Sequence, residues 1–221
     1  MHPKSEVHNV DCLEYMRGLP DKHFDLVIAD PPYGGAKQTV ARTGGTWASK
    51  YGTKINKWDQ APTNEWFEQI SRVSKNQIIW GGNYFTMPPT RCFIVWKKHI
   101  PENFTMAMCE YAWTSFNSNA KVFEYTSVSK KEEQKFHPTQ KPIALYAWLL
   151  STYGGGCKTI FDPMMGSQSS RIAAWKLGFD YVGCELDKEY FEKGCARFDR
   201  ECKGEIKATD GRIIKQLNLF E

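Results

Sequence analysis

TIFDPMMGSQSSRIAAWKLGFDYVGCE, residues 159–185, is the stretch whose reading decides the fold. It opens with a short apolar run that stops at Asp162 and closes with another, YVGC, that stops at Glu185. Between them a helix is expected from about Ser167 to Gly178, entered through Gly166. Two strands joined through a helix make a crossover unit, and that unit sets its strands parallel in one sheet. The unsatisfied N–H groups and positive dipole end where such a helix begins suit a polar ligand. Glu185 follows Gly166 by 19 residues, a spacing that fits a carboxylate accepting hydrogen bonds from ribose hydroxyls. Any adenosine-containing cofactor satisfies these features. NAD is disfavoured, because no GxGxxG follows the strand.

Working outward, the same alternation fills most of the chain. Strands are expected at 24–30, 77–80, 92–97, 110–116 and 121–125, where β-branched and aromatic residues cluster between turn residues. Helices are expected at 63–73 with Thr63 as N-cap, at 142–152 opened by Pro142 and stopped at Gly154, and at 187–202. The pattern implies an α/β domain over residues 1–214, a doubly wound and mostly parallel Rossmann-like sheet with helices on both faces, followed by a tail at 215–221. Asp30, Asp162 and Glu185 each stand at the end of an apolar run, so they are expected along one rim, beyond the carboxyl ends of the strands. A single strand-end acid often only caps a turn; three with motif structure around them point to a site.

Composition sets limits on function. With 41% hydrophobic residues the 221-residue chain can bury a proper core, and a net charge of +4 permits an acidic partner without demanding one. Seven cysteines, an odd count without a CxxC pair or clustered histidines, argue against a disulfide framework and against a metal site. The start MHPKSEVHNV has no apolar signal core, and the longest apolar run, IALYAWLL at 143–150, is too short to span a bilayer. A soluble cytoplasmic protein with no membrane contact is expected.

The turn DPMMGSQSS at 162–170 resembles the DPFxGSGTT-like cofactor turn of the β-group DNA amino-methyltransferases, the adenine-N6 and cytosine-N4 enzymes. The match keeps Asp162, Pro163, Gly166 and Ser167. It departs at Gln168, where the family has a second glycine, and this removes backbone freedom. HPTQKP at 137–142 resembles the family's segment that holds the methionine end of S-adenosyl-L-methionine, which implicates His137, Thr139, Lys141 and Pro142. VDCLEYM at 10–16 is similar to the family's strand end beside the cofactor adenine, placing Asp11 and Cys12 there. These are the cofactor-binding residues the resemblance implies.

Asp30-Pro31-Pro32-Tyr33 resembles the family's catalytic turn, and the chemistry explains its composition. An exocyclic amino nitrogen is a poor nucleophile, because its lone pair is delocalised into the ring. A carboxylate (Asp30) and a backbone carbonyl (Pro31) can accept both amino protons and stabilise the positive charge that develops on nitrogen. Pro31 and Pro32 restrict the backbone that holds these acceptors, and Tyr33 offers a ring face to a flipped-out base. A bare DPP turn after a strand often merely ends it. Here it precedes HPTQKP and the 162–170 turn, the order of the β-group. Glutamine methyltransferases of release factors place a similar turn after the cofactor turn. Asp in the first position points to adenine more than to cytosine-N4. An RNA adenine methyltransferase and a catalytically weak DNA-binding relative remain as alternatives.

Residues 34–57 carry Lys37, Arg42, Lys50, Lys54 and Lys57, five glycines and no acid, as expected of a mobile loop that contacts double-stranded DNA. Only 103–136 is left for a target-recognition segment, which implies specificity that is short, relaxed or read with a second subunit of a homodimer. At the tail, Gln216, Leu217, Leu219 and Phe220 resemble the peptide by which bacterial proteins dock on the DNA sliding clamp; the alternative is a tail packed on its own domain.

Overall fold

The computed structural model describes residues 2–34, 59–103, 107–126, 135–207 and 213–215. Most of the basic loop at 34–57 and the clamp-like residues at 216–220 therefore lie outside the described residues. The main sheet has eight strands: β1 (Ser5–His8), β2 (Phe24–Ala29), β3 (Ser74–Trp80), β4 (Phe93–Lys97), β5 (Cys109–Thr114), β6 (Lys121–Glu124), β7 (Thr159–Asp162) and β8 (Asp180–Cys184). Their order is β1-β8-β7-β2-β3-β5-β4-β6. From β1 to β3 every neighbouring pair is parallel. Strand β5 runs antiparallel to both β3 and β4, while β4 and β6 pair in parallel. The sheet is mostly parallel, as expected, with one reversed strand in its far half.

Among the described residues five α-helices cover it: α1 (Cys12–Arg17), α2 (Asn64–Val73), α3 (Ile143–Tyr153), α4 (Ser169–Lys176) and α5 (Lys188–Phe198). Sequence features set their ends. Asp11 caps α1, Thr63 caps α2 and Asp187 caps α5, each side chain accepting an N–H of the first turn. Pro142 is the residue before α3, and Gly154 closes that helix by donating to the Leu150 carbonyl. The helix expected to run to residue 202 is α-helical only to Phe198. It continues as a π turn, Asp199–Lys203, which ends at Gly204 with φ 63°. A separate hairpin of β9 (Glu205–Lys207) and β10 (Ile213–Lys215) follows.

Both faces of the sheet are packed. Leu26 and Ile28 of β2 face the core under α3 and α4, whereas Val27 and Ala29 face that under α1 and α2. Helix α2 shows how pattern becomes burial: Trp66, Ile70 and Val73 recur at helical spacing and are the residues it buries. Each such side chain contributes about 1.5–3 kcal/mol by leaving water. Of the stretch 103–136, residues 109–114 and 121–124 are strands β5 and β6 of the main sheet. No helix among the described residues is long and apolar enough to cross a membrane.

Candidate active site

Between β7 and β2 the winding reverses. From β7 the chain crosses through α4 to β8 on one side; from β2 it crosses through α2 to β3 on the other. Ligands of open α/β sheets bind beyond the carboxyl ends of the strands at such a point. A cavity of about 910 Å³ opens there. Asp11, Cys12, Asp30, Pro31, Pro32, Tyr33, His137, Thr139, Lys141, Pro163, Gly166, Ser167 and Glu185 all line it. Asp162 and Pro142 do not.

Asp162 acts from behind the turn. Its Oδ1 accepts the Met164 N–H at 3.0 Å and its Oδ2 the Ser170 hydroxyl at 2.5 Å. Burial raises its carboxyl to about 7, against the opposing pull of those two bonds. Glu185 staples the turn from the other side, accepting the N–H groups of Gly166 at 2.8 Å and Asp187 at 2.9 Å. Burial still pushes this carboxyl up, although the backbone donors oppose it. Each carboxylate oxygen has a second lone pair, so Glu185 keeps acceptor capacity on a wall of the cavity.

Gly166, at φ 45°, lies so close to the His137 imidazole that an added Cβ would come within 3.2 Å of Nε2. The imidazole packs against Tyr190, with ring centroids 4.4 Å apart, and Thr139 Oγ1 lies 3.3 Å from its Nδ1. Burial, then the nearby Lys141, lowers its value to about 4, so the ring is neutral at pH 7. Cys12 accepts the Trp66 indole N–H at 3.4 Å, and burial pushes its thiol up to about 11, which leaves it inert. A turn that bares its backbone at Gly166, the cavity-lining acids Asp11 and Glu185, and a neutral imidazole fit an adenosine-bearing cofactor.

Gln168 occupies the place where the family has glycine, and its backbone is left-handed with φ 61°. Its side chain does not line the cavity. It turns toward α5, where Nε2 donates to the Phe191 carbonyl at 3.2 Å and Oε1 accepts from Arg171 at 2.8 Å. The departure from the family pattern is thus absorbed behind the turn.

The Asp30–Tyr33 turn leaves β2 and enters the same cavity. Tyr33 Oη donates to Asp30 Oδ1 at 3.0 Å, and Lys141 Nζ lies 2.5 Å from Asp30 Oδ2. Burial raises the Asp30 carboxyl, and the lysine opposes that shift. Burial also pulls the ammonium down, but Asp30 and Glu110 outweigh it and Lys141 remains charged. The Tyr33 ring is stacked on Tyr84 with centroids 4.7 Å apart. Gly81, at φ 69°, fits so tightly against Tyr33 that an added Cβ would lie 2.1 Å from the ring.

Glu110, Tyr84 and Tyr146 also line the cavity and were not foreseen from sequence. Glu110 had a weak signal, an acid inside an otherwise apolar strand run. Tyr84 had none beyond the Gly81-Gly82-Asn83 turn before it.

Fold and site together define a Rossmann-like α/β protein in which the Asp30–Tyr33 turn and the Pro163–Ser167 turn line one switch-point cavity. A family model described as DNA methylase, the N6/N4 methyltransferases, matches residues 79–195, more than half of the chain, and the chain belongs to that family. Its members depend on S-adenosyl-L-methionine. The type II methyltransferase M2.MboI of Moraxella bovis is 24% identical over 87% of this chain and 86% of its own. Among solved structures, TTHA0409 of Thermus thermophilus, a putative DNA modification methylase complexed with S-adenosyl-L-methionine, aligns with a TM-score of 0.54 at 16% identity, covering 98% of this chain and 99% of that one. PvuII DNA methyltransferase, cytosine-N4-specific, aligns with a TM-score of 0.56 at 13% identity, covering 93% and 98%. At such identities these structures speak for the fold alone.

Proposed function

We propose that this chain transfers the methyl group of S-adenosyl-L-methionine to the N6 amino group of adenine in double-stranded DNA, as a cytoplasmic enzyme. The observation that carries the reading is the meeting of two turns. Asp30–Tyr33 leaves β2 and Pro163–Ser167 leaves β7, and both line one cavity beyond neighbouring parallel strands. The cofactor supplies a methyl group already activated by its sulfonium, so direct displacement suffices. Asp11, His137, Gly166, Ser167 and Glu185 hold it, with Asp162 shaping the turn from behind. Asp30 and the Pro31 carbonyl accept the two amino protons of a flipped-out base, and Tyr33 supplies the stacking face once Tyr84, itself 63% exposed, swings away. Asp in the first position of the turn favours adenine. Cytosine-N4 transfer uses the same acceptors and is the second reading.

Incubation with labelled S-adenosyl-L-methionine and duplex DNA or RNA, followed by nucleoside analysis, tests this. Labelled N6-methyladenosine in its deoxy form is expected, and Asp30→Ala lowers the rate about a hundredfold or more. Label in N4-methylcytosine or only in RNA would replace the substrate. Full activity of Asp30→Ala would end the mechanism. The tail residues Gln216, Leu217, Leu219 and Phe220 form a docking peptide for the sliding clamp in this reading; deletion of 216–221 should abolish clamp pull-down. A short recognition sequence, read by a homodimer, completes it.

A further inference from the structure

Asp30 is a weakened acceptor for an amino proton while Lys141 holds Oδ2: each oxygen keeps a spare lone pair, but the adjacent ammonium draws their electron density. In the structure Oδ1 accepts from Tyr33 and Oδ2 is held by Lys141. Releasing Oδ2 would strand an ammonium that is only 4% exposed, and an uncompensated buried charge is strongly unfavourable. The same ammonium has a second acid beside it. Glu110 of β5 places Oε2 3.1 Å from Lys141 Nζ, so the ammonium already rests against a second, buried carboxylate. Its other oxygen, Oε1, is held by Lys98. The four groups form an alternating row, Asp30, Lys141, Glu110 and Lys98, with Lys141 also over the Trp80 ring at 5.4 Å. Burial pushes Glu110 up, but Lys141 and Lys98 outweigh it and hold the carboxyl at about 2, so it stays an anion throughout the working range.

We propose that Glu110 is a positioning residue that takes over Lys141 when the target amino group docks, which frees Asp30 Oδ2 to accept an amino proton. The inference rests on the function proposed above. Lys141 needs no large excursion, because it already lies between the two carboxylates. The hand-over keeps the row electrically neutral and leaves Glu110 its bond to Lys98. The other titratable groups whose charges reach Asp30 are Tyr33, Tyr146 and Asp162. None of these can neutralise an ammonium released from Asp30 as Glu110 can.

A purely structural alternative is that Glu110 exists to neutralise Lys98, whose side chain is 10% exposed. Two variants separate the ideas. Glu110→Gln removes the second acceptor charge; Glu110→Gln with Lys98→Met removes it together with the lysine it neutralises, and so keeps the row balanced. The measurements are single-turnover methyl transfer at saturating DNA and cofactor, cofactor affinity by calorimetry, and thermal midpoint. Both variants are expected to be about ten- to a hundredfold slower at saturation, the worth of one charged hydrogen bond. Cofactor affinity should stay at the wild-type level, and the double variant should recover the thermal midpoint that Glu110→Gln loses. If the single variant does not fold, the double decides. Wild-type rates in either variant, or a loss confined to cofactor affinity, would overturn the proposal while leaving the function intact. A wild-type chain that methylates no DNA would overturn the function, and this proposal with it.

Discussion

Asp162 shows how far one side chain can depart from the role its position suggests. Its place at a strand end beside the glycine turn implies contact with the cofactor; in the structure it is 1% exposed and holds the Met164 N–H and the Ser170 hydroxyl. Its folded value of about 7 lies above the ordinary carboxylate value near 4, with burial as the cause. Between those values the native state keeps a proton the unfolded chain has lost, so stability falls as pH rises through that window and the loss is complete above about 7. The gap corresponds to at most about 4 kcal/mol. His137 acts with the opposite sign: burial holds it near 4, so its contribution rises with pH up to its ordinary value near 6.5. Asp162→Asn isolates the first effect. Its urea-derived stability relative to wild type should rise between pH 5 and pH 8, since Asn carries no charge to bury. A difference that stays constant with pH would place the Asp162 carboxyl in the ordinary range.

At the scale of elements, helix α5 braces the Pro163–Gln168 turn from behind. Arg197, 2% exposed, donates to the Ser167 carbonyl at 2.7 Å and to Ser169 Oγ at 2.9 Å. Gly194, one turn earlier, leaves room for Gln168, and an added Cβ there would lie 2.6 Å from Gln168 Nε2. Gly194→Ala brings two opposed effects. Alanine favours the helix by about 1 kcal/mol, whereas overpacking a filled site costs about 1–3 kcal/mol. Overpacking should win, lowering the thermal midpoint and weakening cofactor binding as Gln168 pushes on the turn. Adding Gln168→Gly removes the clash and suits the left-handed backbone, so the pair should recover both quantities. An unchanged midpoint and affinity in Gly194→Ala would show that α5 does not brace the turn. This contact also marks the limit of what the sequence discloses. The strands and helices of residues 159–185 and the DPPY turn are legible because apolar period, glycine and proline act within a few residues. The pairing of Gln168 with Gly194, and of Lys141 with Glu110, depends on which elements become neighbours. Strand β5 reaches the site only because it inserts, reversed, between β3 and β4. No local pattern in CEYAWT encodes that insertion. The short strand Ser5–His8 escapes the sequence reading for a related reason: four residues give too little alternation to read.

At the scale of the whole molecule, the cavity is assembled from segments spread along most of the described chain. Residues 10–33, with 59–66, Tyr84 and Glu110, supply one wall and residues 137–190 the other, joined where β2 pairs with β7. The Leu26–Ile160 and Val27–Phe161 pairs at that joint belong to the two cores that flank the sheet. A ligand in the cavity therefore ties together elements that any local opening would separate, and its binding energy adds to the stability of the whole fold. For one site, free ligand at a hundred times its dissociation constant stabilises by about 2.7 kcal/mol. For a domain of this length each kcal/mol moves the midpoint by about 2–4 °C, so S-adenosyl-L-methionine at that excess should raise it by about 5–10 °C. The transition should move as a single step, because both walls contribute to both cores. Calorimetric scans at rising cofactor concentration measure this directly. A split transition, with only part of the heat moving upward, would mean that the two walls melt independently, and no movement at all would mean that the cavity does not hold the cofactor. Glu185→Ala gives the companion result: it removes an acceptor on the cavity wall and the staple on the Gly166 N–H, so the cofactor-dependent rise should shrink while the transition stays single.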